Sequence, residues 1–157
     1  MLKTIKSFLL FSLVLLSVVS HAEIRSIPKA PDVSAKSYIL QDFASGHILA
    51  ASNADLRLPP ASITKLMTAY IVSNELSSGN IALEDDVLIS EKAWRMVGSR
   101  SFIEVNTKVT VGVLLRGMII QSGNDAAVAL AEHVAGSEET FSQMMNQYAQ
   151  QLGMLDT

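Results

Sequence analysis

The stretch PPASITKLMTAYIV, residues 59–72, decides how this chain is read. Two prolines end an extended segment, because proline fixes its own φ and disfavours helix at the residue before it. Ile63, Leu66, Met67, Tyr70 and Ile71 then fall at i, i+3, i+4, i+7 and i+8. That spacing predicts the core-facing side of an amphipathic helix running to about Leu76, stopped by Ser77-Ser78-Gly79-Asn80. Ser62 opens the helix and Lys65 lies three residues on, so their side chains share one face. A helix start offers free backbone N–H groups and the positive end of the dipole, both of which favour an oxyanion. A serine hydroxyl needs an adjacent base to act as a nucleophile, and a desolvated lysine can serve. Alone, S-x-x-K is a weak signal, since a serine N-cap followed by a solvated lysine has the same letters. The chain holds a second copy, Ser26-Ile27-Pro28-Lys29, whose internal proline leaves no helix to align the two side chains.

Sixty residues after Ser62, Ser122-Gly123-Asn124 interrupts two apolar runs at 111–120 and 125–134. Such a break can place polar side chains in a cleft. There Ser122 could relay a proton to a leaving group, and Asn124 could both donate to and accept from a substrate amide. A plain helix break, with Gly123 as C-cap and Asn124 or Ser122 as the next N-cap, is the competing explanation. Taken together, the two motifs point to acyl transfer, with Ser62 as nucleophile and Lys65 as base.

The remainder sets the context. Lys3 and Lys6, an apolar run over 8–19 and Ser20-His21-Ala22 predict a secretory signal peptide over residues 1–22, too short in its apolar part to span a bilayer. Of 12 basic and 15 acidic residues, only two lysines lie in that leader, so the exported part carries 10 against 15 and a net charge of −5. That balance argues against nucleic acid and against a polybasic membrane patch. There is no cysteine, so no disulfide holds the exported chain. Residues 23–36 read as an extended lead-in, and residues 37–157 as one domain. Residues 37–43 and 47–51 around Ala44-Ser45-Gly46 predict a β-hairpin. Short strands are expected at 87–89 and 102–105. Helices are expected over 111–120, capped by Thr110, over 125–134, ended by Gly136, and from Ser137-Glu138-Glu139 to Gly153. The fold class is α+β.

Residues 60–70 (PASITKLMTAY) and 121–126 (QSGNDA) resemble the nucleophile block and second block of the low-molecular-mass penicillin-binding proteins. These are the serine-type D-alanyl-D-alanine carboxypeptidases of the peptidase S11 type. The similarity extends through Ala135-Gly136-Ser137, Met145-Asn146 and Leu152-Gly153-Met154, and so covers nearly all of the exported chain. It implies a β-lactamase/penicillin-binding-protein transpeptidase-like fold. It also implies that Ser62 forms an acyl-enzyme, that Lys65 accepts its proton, and that Ser122 and Asn124 complete the relay and bind substrate. The implied substrate is the D-Ala-D-Ala end of a peptidoglycan stem peptide, with β-lactams as covalent inhibitors, no cofactor and no metal. Localisation would be the periplasm or the outer face of the cytoplasmic membrane. The family's K-T-G block does not occur before Thr157, and neither do the later sheet strands nor the C-terminal region through which membrane association is expected. The hairpin would then carry an exposed edge. The 157 residues alone are accordingly expected to be inactive and poorly folded, which measurable D-alanine release from them would refute.

Two further readings stay open at this point. A serine β-lactamase or another amidohydrolase of the same fold is one, although Gly123 stands where β-lactamases usually carry Asp. A non-catalytic muropeptide- or partner-binding protein is the other. His21 leaves with the leader, while His47 in the hairpin and His133 near a helix end suit packing or surface roles better than a triad. No H-E-x-x-H or other ligand cluster points to a metal. Met67, Met118, Met144, Met145 and Trp94 read as packing residues.

Overall fold

A computed structural model describes residues 29–157. The predicted leader, residues 1–22, lies outside the described residues. One compact unit ends at Arg57 and a second spans Leu58–Thr157.

The first unit carries the expected hairpin. Strand β1 (Tyr38–Gln41) pairs antiparallel with β2 (Ile48–Ser52). The register runs from Tyr38 opposite Ser52 to Gln41 opposite Ile48, with a bulge between Leu40 and Gln41. The turn is built by Asp42, whose carboxylate accepts the Ser45 N–H at 2.7 Å and the Ser45 hydroxyl at 2.6 Å. These donors hold the Asp42 carboxyl below its ordinary pKa. Gly46, at φ +72°, supplies the left-handed residue the turn requires. Ile39, Leu40, Ile48, Leu49 and Phe43 all remain exposed.

The second unit is mostly helical. A 3₁₀ turn (Ala61–Ile63) leads into α1 (Thr64–Ser77). Strand β3 (Asp86–Leu88) and the short helix α2 (Glu91–Trp94) follow, then strand β4 (Lys108–Thr110), α3 (Val111–Gln121), α4 (Asn124–Ala135) and α5 (Glu138–Gln151). Strands β3 and β4 pair antiparallel, with Val87 opposite Val109.

Helix α4 sits at the centre, touching α1, α2, α3, α5 and β3. Its sequence explains this. Ala126, Ala129 and Ala131 are small enough for neighbours to approach closely, and Leu130 fills the space between them with no exposure. One core joins Val72, Ile89, Leu114, Met118 and Leu130; a smaller one joins Ile71, Ala131 and Phe141. Each fully buried Leu, Ile or Met contributes about 1.5–3 kcal/mol of transfer free energy.

The helix ends follow local chemistry. The Ser137 hydroxyl accepts the Thr140 N–H at 3.0 Å, which caps α5. Gly136, at φ +78°, closes α4 as a left-handed C-cap. Lys92 of α2 bridges Glu138 and Glu139 in the first turn of α5 at 2.9 and 2.8 Å. The hydrogen bonds that Lys92 donates to Glu139 and Glu138 push its pKa up, and Lys92 in turn holds Glu139 below its ordinary value.

Three sequence expectations are corrected. Ile63, Leu66 and Tyr70 do not face the core: they are 67, 71 and 42% exposed, and the buried positions of α1 are Thr68, Ile71 and Val72. The helix is apolar on two arcs, and its periodicity could not say which one meets α4. The exposed arc instead borders an open groove of about 530 Å³ with Met145 and Ala149 of α5 and Leu152 at its C-cap. Residues 102–105 form no strand: Phe102 turns left-handed at φ +58°, and the Ile103 N–H is taken by the Asp125 carboxylate instead of a neighbouring strand. Strand β4 forms later, at Lys108–Thr110. Thr110 occupies the N-cap of α3 as expected, although its side chain makes no cap hydrogen bond; the Asp85 and Leu83 carbonyls accept the Val111 and Gly112 N–H groups at 3.0 and 2.9 Å. The first turn at Ser62 is 3₁₀, so the α-helix starts two residues later than expected.

Leu130→Ala should remove the central filler of α4. The expected outcome is a loss of about 2–5 kcal/mol, read as a fall in the urea midpoint.

Candidate active site

The 3₁₀ turn presents Ser62 at the surface of the second unit. Ala61 before it adopts φ +49°, a left-handed conformation that is costly for a residue with a Cβ. This kink redirects the chain after Pro59-Pro60. The Ile63 N–H then bonds the Pro60 carbonyl at 3.1 Å, and no backbone hydrogen bond among the described residues uses the Ser62 N–H. That group is available to an oxyanion formed at the Ser62 side chain.

One turn later Lys65 points back. Its Nζ donates to Ser62 Oγ at 3.3 Å and to Asn124 Oδ1 at 2.6 Å. Two motifs 59 residues apart in Lys65 and Asn124 therefore meet at one ammonium group. The second bond is partly buried, where a charge-assisted hydrogen bond is strong. A cavity of about 260 Å³ lies beside this pair, lined among others by Thr64, Lys65, Thr68, Met96, Asn124, Glu138 and Phe141.

Asn124 opens α4 and is pinned at three points. Its backbone N–H donates to the Ser99 carbonyl at 2.7 Å, and its Nδ2 donates to the Val97 carbonyl at 2.6 Å. The side-chain amide is thereby oriented, with NH₂ toward a carbonyl and oxygen toward the ammonium.

Ser122 lies at the same break, as C-cap of α3, at φ +55° and ψ +37°. Among the described residues no hydrogen bond joins its hydroxyl to Ser62, Lys65 or Asn124. The structure thus brings Ser62, Lys65 and Asn124 into one hydrogen-bonded group and holds Ser122 two residues away in a strained backbone position. Strain of this kind costs about 1–3 kcal/mol and persists only where the surroundings enforce it. Gly123, not Ser122, is the N-cap of α4. A Cβ at 123 would overlap the Ser101 hydroxyl and come within 3.0 Å of the Ser101 backbone nitrogen. The same hydroxyl would meet a Cβ at Gly117. Two glycines therefore make the slot into which the segment 97–103 docks.

The sequence reading missed this segment and the residue that anchors it. Asp125 is fully buried and accepts the Ser101 N–H at 2.8 Å. The signal was present: one carboxylate in the first turn of a helix, directly before the apolar run 126–131. His47 and His133 take no part. His133 sits in the last turn of α4, and its Nε2 is buried without a hydrogen-bond partner. Among the described residues no group of His, Asp or Glu side chains could hold a metal ion. No helix of the described residues is long and apolar enough to cross a membrane.

Solved structures with this architecture are penicillin-binding proteins and D,D-peptidases. Penicillin binding protein 5 from Haemophilus influenzae superposes with a TM-score of 0.70 at 46% identity, over 81% of this chain and 38% of the other. The D-alanyl-D-alanine carboxypeptidase DacD from Francisella tularensis superposes with a TM-score of 0.70 at 39% identity, over 83% of this chain and 32% of that one. The fold is the β-lactamase/penicillin-binding-protein fold, of which this chain supplies a part. Among curated proteins, the D-alanyl-D-alanine carboxypeptidase DacC of Escherichia coli is 47% identical over 135 residues, covering 82% of this chain and 34% of the relative. The DacA carboxypeptidase of Haemophilus influenzae is 45% identical over 160 residues, covering 99% of this chain and 41% of the relative. The chain thus spans between a third and about two fifths of the length of these relatives. The D-alanyl-D-alanine carboxypeptidase family, peptidase S11, matches residues 24–157. This chain belongs to that family.

Ser122→Gly and Ser122→Ala both remove the hydroxyl, but only glycine relieves the left-handed backbone. The glycine variant should be the more stable of the two by about 1 kcal/mol, measured as a difference in denaturant midpoint.

Proposed function

We propose that this chain supplies the nucleophile half of a serine D-alanyl-D-alanine carboxypeptidase. In this reading the protein removes the terminal D-alanine from peptidoglycan stem peptides. The observation that carries it is the ammonium of Lys65 shared between Ser62 Oγ at 3.3 Å and Asn124 Oδ1 at 2.6 Å. A nucleophile, a base within reach and a group that orients the base are what covalent acyl transfer requires.

The chemistry proceeds in two halves. Ser62 Oγ attacks the carbonyl carbon of the D-Ala-D-Ala amide while Lys65, in its neutral form, takes the hydroxyl proton. The Ser62 N–H donates to the developing oxyanion. A proton passes to the leaving nitrogen, directly from Lys65 or through Ser122, and D-alanine departs. Water then attacks the acyl-serine, gives a proton to the same base, and releases the shortened peptide with Ser62 restored. Asn124 serves both parts, as the acceptor that orients Lys65 and as a partner for the substrate's peptide amide. A β-lactam presents a strained amide to the same hydroxyl and stops at the acyl-enzyme. Ser62, Lys65 and Ser122 are the catalytic residues of this reading, and Asn124 the substrate-binding one.

The packing at Gly123 favours this over a β-lactamase. The Asp that β-lactamases usually carry there would have to occupy space held by Ser101. Export to the periplasm or the outer face of the cytoplasmic membrane is part of the same reading, and the sequence of residues 1–22 supports it. Residues 37–157 form part of the catalytic domain.

Fluorescent-penicillin labelling of source-cell extracts tests the reading, comparing wild type with a chromosomal Ser62→Ala strain. One labelled band is expected to vanish in the variant. An unchanged band pattern, with the protein present in the extract, would overturn the assignment of Ser62.

A further inference from the structure

Among the described residues, Asp125 is a buried carboxylate that the acyl-transfer chemistry does not use. Asp125 has no solvent exposure. A carboxylate in such a place persists only where several donors hold it. Its Oδ1 accepts the Ser101 N–H at 2.8 Å and the Ala126 N–H at 2.9 Å. Its Oδ2 accepts the Ile103 N–H at 3.3 Å and lies 3.9 Å from Arg100 Nε. Residues 97–103 have no helix or strand of their own. Two of their N–H groups thus end on one carboxylate belonging to a different element.

The other side of the same segment faces the active site. The Val97 carbonyl takes Asn124 Nδ2 at 2.6 Å, and the Ser99 carbonyl takes the Asn124 N–H at 2.7 Å. An asparagine amide keeps its orientation only while each end meets the right partner. Should the Val97 carbonyl drift, the NH₂ end would lose its acceptor, and the oxygen offered to Lys65 would no longer be fixed. We infer that Asp125 is a positioning residue for acyl transfer. It fixes residues 97–103, which hold the Asn124 amide, which in turn keeps Lys65 aimed at Ser62. The inference rests on the serine acyl-transfer reading given above.

The test is Asp125→Asn in the protein as expressed from its own gene. Asparagine keeps the volume but offers one acceptor oxygen where two stand, so an N–H of Ser101 or Ile103 would face an NH₂ group. The limiting first-order rate of acylation by a fluorescent penicillin, counted per titrated active site, is expected to fall about 10- to 100-fold. Backbone amides of residues 97–103 should exchange faster with solvent. A merely structural role would lower the folded fraction and the melting temperature but leave the per-site rate unchanged, and that result overturns the inference. If Asp125→Asn gives no folded protein, residue-resolved hydrogen exchange on the wild type decides. Slow exchange at Ser101 and Ile103 supports the clamp, and exchange at the rate of unprotected loop amides overturns it. Absence of acylation in the wild type would count against the carboxypeptidase reading instead, and the exchange result would remain readable by itself.

Discussion

The hydrogen bond from Lys65 Nζ to Asn124 Oδ1 joins the starts of two helices, and its 2.6 Å length depends on how those helices pack. Lys65 is placed by α1, whose Ile71 and Val72 are buried with no exposure, and Asn124 by α4 at the centre of the unit. The apolar core is therefore what sets the geometry of the polar site. A few tenths of an ångström at Leu130 or Val72 would be felt at the ammonium, because close-packed interiors transmit displacement instead of absorbing it.

Around that bond the backbone departs from what its residues prefer. Ala61 and Ser122 both take left-handed conformations, at φ +49° and +55°, next to Ser62 and two residues before Asn124. Neither has the glycine that would make this easy. Gly123 is used for a different purpose: its φ is an ordinary −61°, and what it provides is room for Ser101. Strain beside the nucleophile and an empty Cβ position at the second motif both work against local stability. The small-residue packing of α4 and the caps at Gly136 and Ser137 offset them elsewhere.

Membership of the carboxypeptidase family gives this arrangement a context, since relatives two to three times longer share the same part of the fold. Helix α1 is apolar on two arcs, one packed on α4 and one bordering the open groove with α5. Amphipathic periodicity assumes one apolar face, and it cannot say which face is buried in a helix that has two.

Much of this protein was legible in the residues alone. The hairpin around Ala44-Ser45-Gly46, the order of the helices, the stop at Gly136 and the cap at Ser137 all follow from local propensity, which acts over a few neighbours. Ser62 with Lys65 could be paired because a helix brings i and i+3 together. Asn124 could be associated with them only through its motif, since nothing local links positions 59 residues apart. Tertiary structure decided the rest. It chose which arc of α1 is buried, turned residues 102–105 away from a strand, and gave the Ile103 N–H to Asp125. It also made the acidic residue in the first turn of α4 into the anchor of the segment that orients Asn124. Those outcomes depend on which groups compete for a donor or a volume in three dimensions, and that competition is settled only when distant parts of the chain are packed together.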